Sequence, residues 1–396
     1  MKILFIIPEE FRGDHWGGVT TYVVELSRAL QRVGHDVAVL TPGKKNENFQ
    51  IHQVKFHKIA SYEPHNNIIR RCFKLLYRLI PEIVDRICWA GQVRTFIQSD
   101  HYDIVEAPEW GSSTLFIPSD IKRVIRLHKS WYMYRKDNKL PIWINEVVLD
   151  IFERWCIVSA SAVTSPTKFM ISQYPLLMRI LSARKTPISI IPYGITLPKL
   201  SNHIYKHFSK INILSVGRIE IGKGSILLAD AFIQLHAKFK NVHLIFIGED
   251  TRMFIGKTWV SCKQYIQNRM PHAVKTHVHF MPRVKHDKLG RYYIQCECFV
   301  LPSYGHENQS LSLLEAMAYA KPVIGSNTGG TPEILCPHHM GLIFEEGSVL
   351  SLVNTLQNVL TDSHLRNTCI KRALFERMKY DIRVTISETE NFYERL

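Results

Sequence analysis

The stretch INILSVGRIEIGKG, residues 211–224, contains the local pattern that decides the fold. Residues 211–216 form a short, mostly apolar run typical of a buried strand, and a glycine-rich loop follows at once. Such a loop, placed between a strand and a helix, presents backbone N–H groups to an anion. Arg218 and Lys223 add two full positive charges, which suits a diphosphate; the alternative is a plain strand-to-helix turn with two solvated bases.

The same loop nearly matches the phosphate-binding loop of nucleoside triphosphatases. Gly217, Gly222 and Lys223 have the required spacing, but Gly224 occupies the place of the hydroxyl residue that would bind magnesium, and Ser225 comes one position late. A magnesium-dependent triphosphatase is therefore a weak alternative.

Short apolar runs alternate with amphipathic stretches on both sides of this loop, which favours parallel sheets with crossover helices. We predict strands at 2–8, 36–41, 51–57, 103–107, 123–128, 161–165 and 187–191, and then at 211–216, 242–247, 277–281, 298–301, 322–325 and 341–344. The fold class is therefore α/β, with two Rossmann-like, doubly wound domains facing a cleft. The domains are residues 1–195 and 196–377, joined by a turn-rich linker, and the end of a long helical stretch over 363–395, about 378–396, packs back on the first domain.

Composition and charge exclude several classes of protein. The 396 residues are 46% hydrophobic and 21% charged, which excludes a disordered or collagen-like chain. The net charge of +15 is spread along the sequence and forms no basic tail, so we expect no nucleic-acid partner. Such a charge suits an anionic substrate or an anionic membrane surface; the alternative is simply a set of solvated basic faces.

The eight cysteines lack the spacings of zinc sites and the density of disulfide scaffolds. We expect no metal site, and we interpret Cys296 and Cys298 as buried thiols. The first apolar run is too short for a signal peptide, and no run of 18 apolar residues occurs. These features predict a cytoplasmic protein, at most peripheral at the inner face of the plasma membrane.

Residues 68–97 combine six basic residues with an apolar stripe. A basic amphipathic helix can lie on anionic lipid, and the alternative is a crossover helix packed on the sheet. Pro81 should divide the stretch into two helices in either case.

A second motif, PSYGHENQSLSLLEAMAYAKP, occupies residues 302–322. It predicts a strand ending at Leu301 and a helix over about 310–320, with Glu307 and Glu315 eight residues apart. Eight residues of helical rise span about 12 Å, whereas the paired carboxylates of glycoside hydrolases lie about 5–9.5 Å apart. The pair fits better at the two ends of an extended nucleotide sugar, with the start of the helix directed at its diphosphate.

This second motif, the sequence KPVIG at 321–325 and the sequence GGTPE at 329–333 resemble the donor-binding signature of glycosyltransferase family 4. Gly17-Gly18, the sequence IPYG at 191–194 and the glycine loop follow in the family's order, so the resemblance covers nearly the whole chain. It implies the GT-B fold and a retaining glycosyltransferase that needs no cofactor beyond its nucleotide diphosphate sugar.

The resemblance also implies roles for individual residues. Arg218 and Lys223 would stabilise the leaving diphosphate, Glu307 would contact the transferred sugar, and Glu315 the ribose. Catalytic roles fall on His128, Arg218, Lys223 and Glu307. The implied donor-binding set is Gly17, Gly18, Arg218, Lys223, Arg283, Asn308, Gln309, Ser310, Leu311 and Glu315.

Departures from the family pattern leave the donor open. Gln309-Ser310 replaces the usual Phe-Gly, and Met281-Pro282-Arg283 replaces a glycine near the base pocket, so uridine, guanosine and adenosine donors all remain candidates. We expect transfer of a hexose to a glycan or lipid-linked acceptor in cell-surface polysaccharide biosynthesis. The alternative is a non-catalytic nucleotide-sugar-binding subunit.

Overall fold

The computed structural model describes residues 1–11, 17–62, 76–200, 211–337 and 340–396, and the chain divides into two compact units. The first unit consists of Met1–Met133, Ile142–Gly194 and Ile382–Leu396, and the second of Tyr134–Pro141 and Ile195–Asp381. The sequence-based prediction assigns all of 1–195 to the first domain, whereas the structure groups Tyr134–Pro141 with the second unit. Residues 378–381 also lie in the second unit.

The first unit has an eight-stranded sheet in the order β3-β4-β2-β1-β5-β6-β7-β8, parallel except for β3. Its strands are β1 (Lys2–Ile6), β2 (Asp36–Gly43), β3 (Glu47–Ile51), β4 (Val54–Ala60), β5 (Ile104–Pro108), β6 (Arg123–Arg126), β7 (Ala162–Ser165) and β8 (Ile188–Ile190).

Helices cover both faces of this sheet. They are α1 (Gly18–Arg32), α2 (Pro81–Gln98), α3 (Trp131–Asp137, through which the division into units passes), α4 (Ile144–Val158), α5 (Lys168–Ser172), α6 (Pro175–Ala183) and α15 (Ile382–Glu394). Because parallel crossovers are right-handed, α1 lies on one face and α2, α4 and α6 lie on the other. Accordingly α1 contacts α15, and α4 contacts α2 and α6.

The second unit has a six-stranded parallel sheet in the order β13-β10-β9-β14-β15-β16 and a separate β11-β12 hairpin. Its strands are β9 (Ile211–Val216), β10 (Val242–Ile247), β11 (Arg252–Ile255), β12 (Thr258–Ser261), β13 (Val278–Met281), β14 (Cys298–Leu301), β15 (Val323–Ser326) and β16 (Leu342–Phe344). Its helices are α7 (Ser225–Lys238), α8 (Cys262–Arg269), α9 (His272–Lys275), α10 (His286–Gln295), α11 (Leu311–Ala318), α12 (Thr331–Leu335), α13 (Val349–Thr361), α14 (Ser363–Glu376) and a 3-10 turn (Arg377–Tyr380).

Three sequence-based assignments need correction. The predicted strand 51–57 is a β3-β4 hairpin, because His52 and Gln53 adopt positive φ values of 49° and 73° and reverse the chain. The β11-β12 hairpin is missing from the prediction. The long helix predicted over 363–395 is interrupted at Arg377–Tyr380 by the 3-10 turn.

Other predictions are confirmed. A helix begins at Pro81, and Cys296 and Cys298 are buried at 2% and 0% exposure. Residues 68–75, which carry part of the predicted basic stretch, lie outside the described residues. Among the residues that are described, no helix is long and apolar enough to cross a membrane.

Candidate functional site

The second sheet changes winding direction between β9 and β14. Chain connections leave these two neighbouring parallel strands in opposite directions, to β10 and to β15. In doubly wound sheets the crevice at this point binds ligands. The loops that start here are 217–224, with Arg218 and Lys223, and 302–310, with Glu307.

Lys223 and Glu307 join the two loops through an ion pair. The Lys223 Nζ donates to both carboxylate oxygens of Glu307, at 2.9 and 2.7 Å. The side chains are 24% and 10% exposed, so the pair is partly shielded from water. The structure therefore brings together a cation and an acid that are 84 positions apart in the sequence.

Gly224 allows the close approach of these loops. Its φ is +68°, and a Cβ atom there would lie 1.8 Å from the carbonyl oxygen of Pro302. Gly329 has the same function on the other side of Glu307, because its φ is +65° and a Cβ would lie 2.0 Å from the Glu307 carbonyl oxygen. The Gly330 N–H then donates to that carbonyl at 2.8 Å. The glycines of both motifs thus fix the backbone around Lys223 and Glu307.

Arg218 is more exposed than Lys223, with 51% of its side chain accessible. Its guanidinium lies 3.2 Å from a Glu220 carboxylate oxygen and stands over the Tyr134 ring, 4.9 Å from the centroid. The Tyr134 hydroxyl donates to the other Glu220 oxygen at 3.2 Å. Burial, and then the Glu220 charge, raises the pKa of Tyr134 to about 12, so this hydroxyl keeps its proton.

The segment 134–141 supports both loops, and sequence reasoning missed it. The Asn138 Oδ1 accepts the Gly222 N–H at 2.9 Å. Asp137 accepts the His306 backbone N–H at 2.9 Å, and its other oxygen lies 2.8 Å from the His306 ring Nδ1. No local pattern links residues 137 and 138 to loops more than 80 positions away.

The start of α11 lies directly after Glu307. Ser310 is the N-cap residue, and its side chain makes no capping bond within the helix. Asn308, Gln309 and Ser310 are buried at 6%, 5% and 6% exposure, and Leu311 is the first helical residue. The first turn of α11 contains no acidic residue. The partial positive charge at the N-terminus of the helix is therefore not neutralised within that turn, and it favours binding of an anion.

Glu315 is held by two partners that sequence reasoning did not identify. The Tyr293 hydroxyl donates to one carboxylate oxygen at 2.6 Å, and the His286 Nε2 lies 2.8 Å from the other. Burial, and then the Glu315 charge, holds the pKa of Tyr293 well above its usual value. Arg283 lies in the loop between β13 and α10, three positions before His286. Both partners come from α10, a helix that precedes the second motif in the sequence and is not part of it.

In the first unit, His128 follows β6 and is 6% exposed. Its backbone N–H donates to both carboxylate oxygens of Glu109, at 2.9 and 2.8 Å, and its ring Nδ1 is hydrogen-bonded to the Tyr193 hydroxyl. Burial, and then the charge of Arg126, lowers the pKa of His128 well below its usual value, so the imidazole is neutral at pH 7. The sequence predicts His128 but not the buried Glu109 beneath it.

Gly17 and Gly18 follow β1, at the point where the first sheet changes winding direction. Gly18 begins α1, and the Gly17 carbonyl accepts the Thr21 N–H at 2.9 Å. A Cβ on Gly18 would meet no heavy atom within 4 Å, so crowding does not explain this glycine.

The structure therefore brings Lys223, Glu307, residues 308–311 and the loop of Arg218 to one edge of the second sheet. His128 and the Gly17-Gly18 pair belong to the first unit. Within the described ranges, no group of three or more histidine, cysteine or acidic residues could hold a metal ion.

Family models match both halves of the chain. A model described as glycosyltransferase family 4 matches residues 16–198, and one described as glycosyl transferases group 1 matches residues 204–374. These ranges include Gly17, Gly18 and His128 in the first half and Arg218, Lys223, Glu307 and Glu315 in the second.

Individual proteins resemble the chain over most of its length. The phosphatidylinositol N-acetylglucosaminyltransferase GPI3 subunit of Saccharomyces cerevisiae (strain YJM789) is 22% identical, over 87% of this chain and 72% of that protein. A phosphatidyl-myo-inositol mannosyltransferase of Mycobacterium leprae is 21% identical, over 100% and 96%. The sucrose-phosphate synthase structure from Thermosynechococcus elongatus aligns with a TM-score of 0.75 at 17% identity, over 100% of this chain and 98% of that one.

Proposed function

We propose that this chain, which belongs to glycosyltransferase family 4 and has the GT-B fold, transfers a hexose from a nucleotide diphosphate sugar to a glycan or lipid-linked acceptor. The observation that carries the proposal is the Lys223–Glu307 ion pair beside the start of α11. In this arrangement Lys223 is a cation that can bind a diphosphate, and the N–H groups at the start of α11 can bind a phosphate. The Glu307 carboxylate can accept hydrogen bonds from sugar hydroxyls.

The first half of the reaction breaks the bond between the anomeric carbon and the phosphate oxygen. The bonding electron pair stays on that oxygen, so the nucleoside diphosphate leaves with an added negative charge. Lys223 and Arg218 stabilise this charge, and the N–H groups at the start of α11 act in the same direction. The donor diphosphate competes with Glu307 for Lys223, which turns the carboxylate toward the hydroxyls of the transferred sugar.

The second half forms the new glycosidic bond on the same face of the sugar. The acceptor hydroxyl oxygen bonds to the anomeric carbon, and its proton moves to the departing phosphate oxygen. The products are a glycoside with retained configuration and a free nucleoside diphosphate. His128 takes no proton in this scheme; its neutral ring serves as a hydrogen-bonding partner of the sugar, in keeping with its lowered pKa.

Glu315 binds the ribose at the other end of the donor. A carboxylate accepts hydrogen bonds from the two ribose hydroxyls, and Tyr293 and His286 hold it in place. The Arg283 loop, which leads into His286, is where we place the base.

The names of the two relatives support a lipid-linked acceptor, because both refer to transfer to a phosphatidylinositol. We propose that the reaction takes place on the cytoplasmic side of a membrane. Seven cysteines within the described ranges are free thiols, which supports a reducing compartment.

A panel of uridine, guanosine and adenosine diphosphate sugars tests the proposal. We expect one base to raise the melting temperature of the purified chain, and one sugar of that base to be transferred or slowly hydrolysed. Proton NMR of the product reports the anomeric configuration, and inversion would contradict retention.

Glu315→Ala should abolish the thermal shift, whereas Glu345→Ala, an exposed carboxylate of the same unit, should leave it unchanged. Absence of both binding and turnover across the panel would overturn the proposal. Tight binding without turnover on any glycan or phosphatidylinositol acceptor would favour the non-catalytic subunit instead.

A further inference from the structure

The helix α4 carries an apolar stripe on its exposed side. Ile144, Val147, Ile151 and Trp155 follow at spacings of three, four and four residues, which is the repeat of one helix face. Their exposed fractions are 73%, 42%, 57% and 59%, and Trp143, the preceding residue, is 61% exposed. Five large apolar side chains therefore line one side of this helix at its surface.

The opposite side of α4 supplies the contact with the core. Leu149, Cys156 and Ile157 are at most 1% exposed and pack in the core of the first unit. The buried side also carries Glu146 and Glu153, so the large apolar side chains of α4 are divided between the core and the exposed stripe. A contiguous apolar patch on a protein surface marks a site of interaction with another protein or a membrane.

The neighbouring helix α6 extends the exposed stripe. It contacts α4 on the same side of the sheet, and its Leu176 and Ile180 are 67% and 37% exposed. We call the combined surface the α4–α6 face. It consists of Trp143, Ile144, Val147, Ile151, Trp155, Leu176 and Ile180.

The exposed charged side chains in and next to α5 and α6 are all positive. They are Lys168, Arg179, Arg184 and Lys185. The acidic residues of α4 do not offset them. Glu146 and Glu153 are buried, and Asp150 is paired with Arg154 at 2.5 Å.

We propose that the α4–α6 face docks the protein on an anionic lipid bilayer. Tryptophan side chains favour the interface between headgroups and acyl chains, and they occur here at both ends of the stripe. Exposed lysines and arginines beside an apolar helix face are the pattern of interfacial membrane helices. The net charge of +15 on the whole chain also favours binding to an anionic bilayer.

The charges favour a membrane over a second copy of the chain. In a two-fold symmetric dimer the same surface meets itself, so the basic residues at the edge would face each other and repel. An anionic bilayer offers the opposite charge to the same edge.

The proposal does not depend on the enzymatic activity, and vesicle co-sedimentation without any donor tests it. We expect the protein to sediment with vesicles of phosphatidylcholine containing 30% phosphatidylglycerol, and much less with phosphatidylcholine alone. Raising the sodium chloride concentration from 0.1 to 0.5 M should release most of it. The double substitution Ile151→Gln and Trp155→Gln should weaken binding about tenfold or more, because it removes two large apolar side chains.

Phe375→Gln is the matched control, because Phe375 is 74% exposed on a helix of the second unit. It should bind vesicles like the unsubstituted protein. A second variant, Ile144→Gln with Val147→Gln, repeats the test on the first half of α4 in case the other variant unfolds. Equal binding to neutral vesicles, no loss in either variant, or a dimer in sedimentation velocity that the substitutions dissociate would overturn the proposal.

Discussion

At the scale of single residues, the Lys223–Glu307 ion pair links the glycine loop to the second motif. Lys223→Ala should lower kcat/KM for the donor about 10²–10³-fold, because it removes a charged donor from the developing negative charge. Lys223→Arg, which keeps the charge, should restore part of the rate. The measurement is initial rates with the donor that the panel identifies.

Lys238→Ala is the control for this prediction, because it removes an exposed lysine at the end of α7 in the same unit. It should leave kcat/KM unchanged. An unaltered rate in Lys223→Ala would contradict the assigned role.

The buried Glu109, whose carboxyl group accepts the His128 backbone N–H, should make the stability of the protein depend on pH. Burial raises the pKa of Glu109 from 4.5 to about 8. Between these values the folded protein keeps a proton that the unfolded chain has lost, so the free energy of unfolding decreases as the pH rises. The slope from one such group is up to about 1.4 kcal/mol per pH unit.

Glu109→Gln should make this decrease shallower, because the amide carries no titrating proton and keeps an acceptor oxygen for the His128 N–H. Urea unfolding at pH 6, 7 and 8 measures the slope. Glu394→Gln, an exposed position in α15, should retain the full slope. An identical slope in Glu109→Gln would show that this carboxyl does not titrate in that range.

At the scale of elements, the segment 134–141 positions a loop that it does not adjoin in sequence. Asn138→Ala removes the acceptor of the Gly222 N–H and leaves a buried donor unsatisfied. We expect the dissociation constant for the nucleoside diphosphate to rise about tenfold, which corresponds to about 1.4 kcal/mol. Isothermal titration calorimetry measures this change.

Lys136→Ala serves as the neighbouring control, because Lys136 is exposed on α3. The Lys136→Ala variant should bind the nucleoside diphosphate as tightly as the unsubstituted chain does. Unchanged affinity in Asn138→Ala would mean that the loop holds its shape without this hydrogen bond.

At the scale of the whole molecule, the last helix completes the first unit although it follows the second in sequence. The Tyr393 hydroxyl donates to Glu106 at 2.5 Å, and the Tyr22 hydroxyl donates to the other carboxylate oxygen at 3.0 Å. Glu106 and Tyr393 are buried at 3% and 1% exposure. The helix α15 thus supplies one of two hydroxyl donors to a buried carboxyl group.

Tyr393→Phe should lower the free energy of unfolding of the first unit by about 1–3 kcal/mol, because one donor to this buried group is lost. Urea unfolding measures the loss, and Arg395→Ala at an exposed position should cause none. The affinity for the nucleoside diphosphate, whose proposed contacts Lys223, Glu307 and Glu315 all lie in the second unit, should stay unchanged. No loss of stability in Tyr393→Phe would contradict the assigned contact.

Much of this architecture is predictable from local pattern. Apolar runs of four to eight residues mark twelve of the strands, because every buried strand must satisfy the same requirement for apolar side chains. The β3-β4 turn is not predicted from the sequence, because His52 and Gln53 are not residues that typically adopt positive φ.

The sequence by itself determined the α/β class, the two glycine-rich loops and the acidic pair, since strand periodicity, loop glycines and motif spacing are all local properties of the chain. Only the tertiary structure decided which partners hold these groups: Asn138 on Gly222, Tyr293 and His286 on Glu315, and Glu109 under His128. It also decided which side of α4 is left uncovered. These pairings join distant parts of the chain, and a contact between distant residues depends on how helices and sheets pack, which no local spacing encodes.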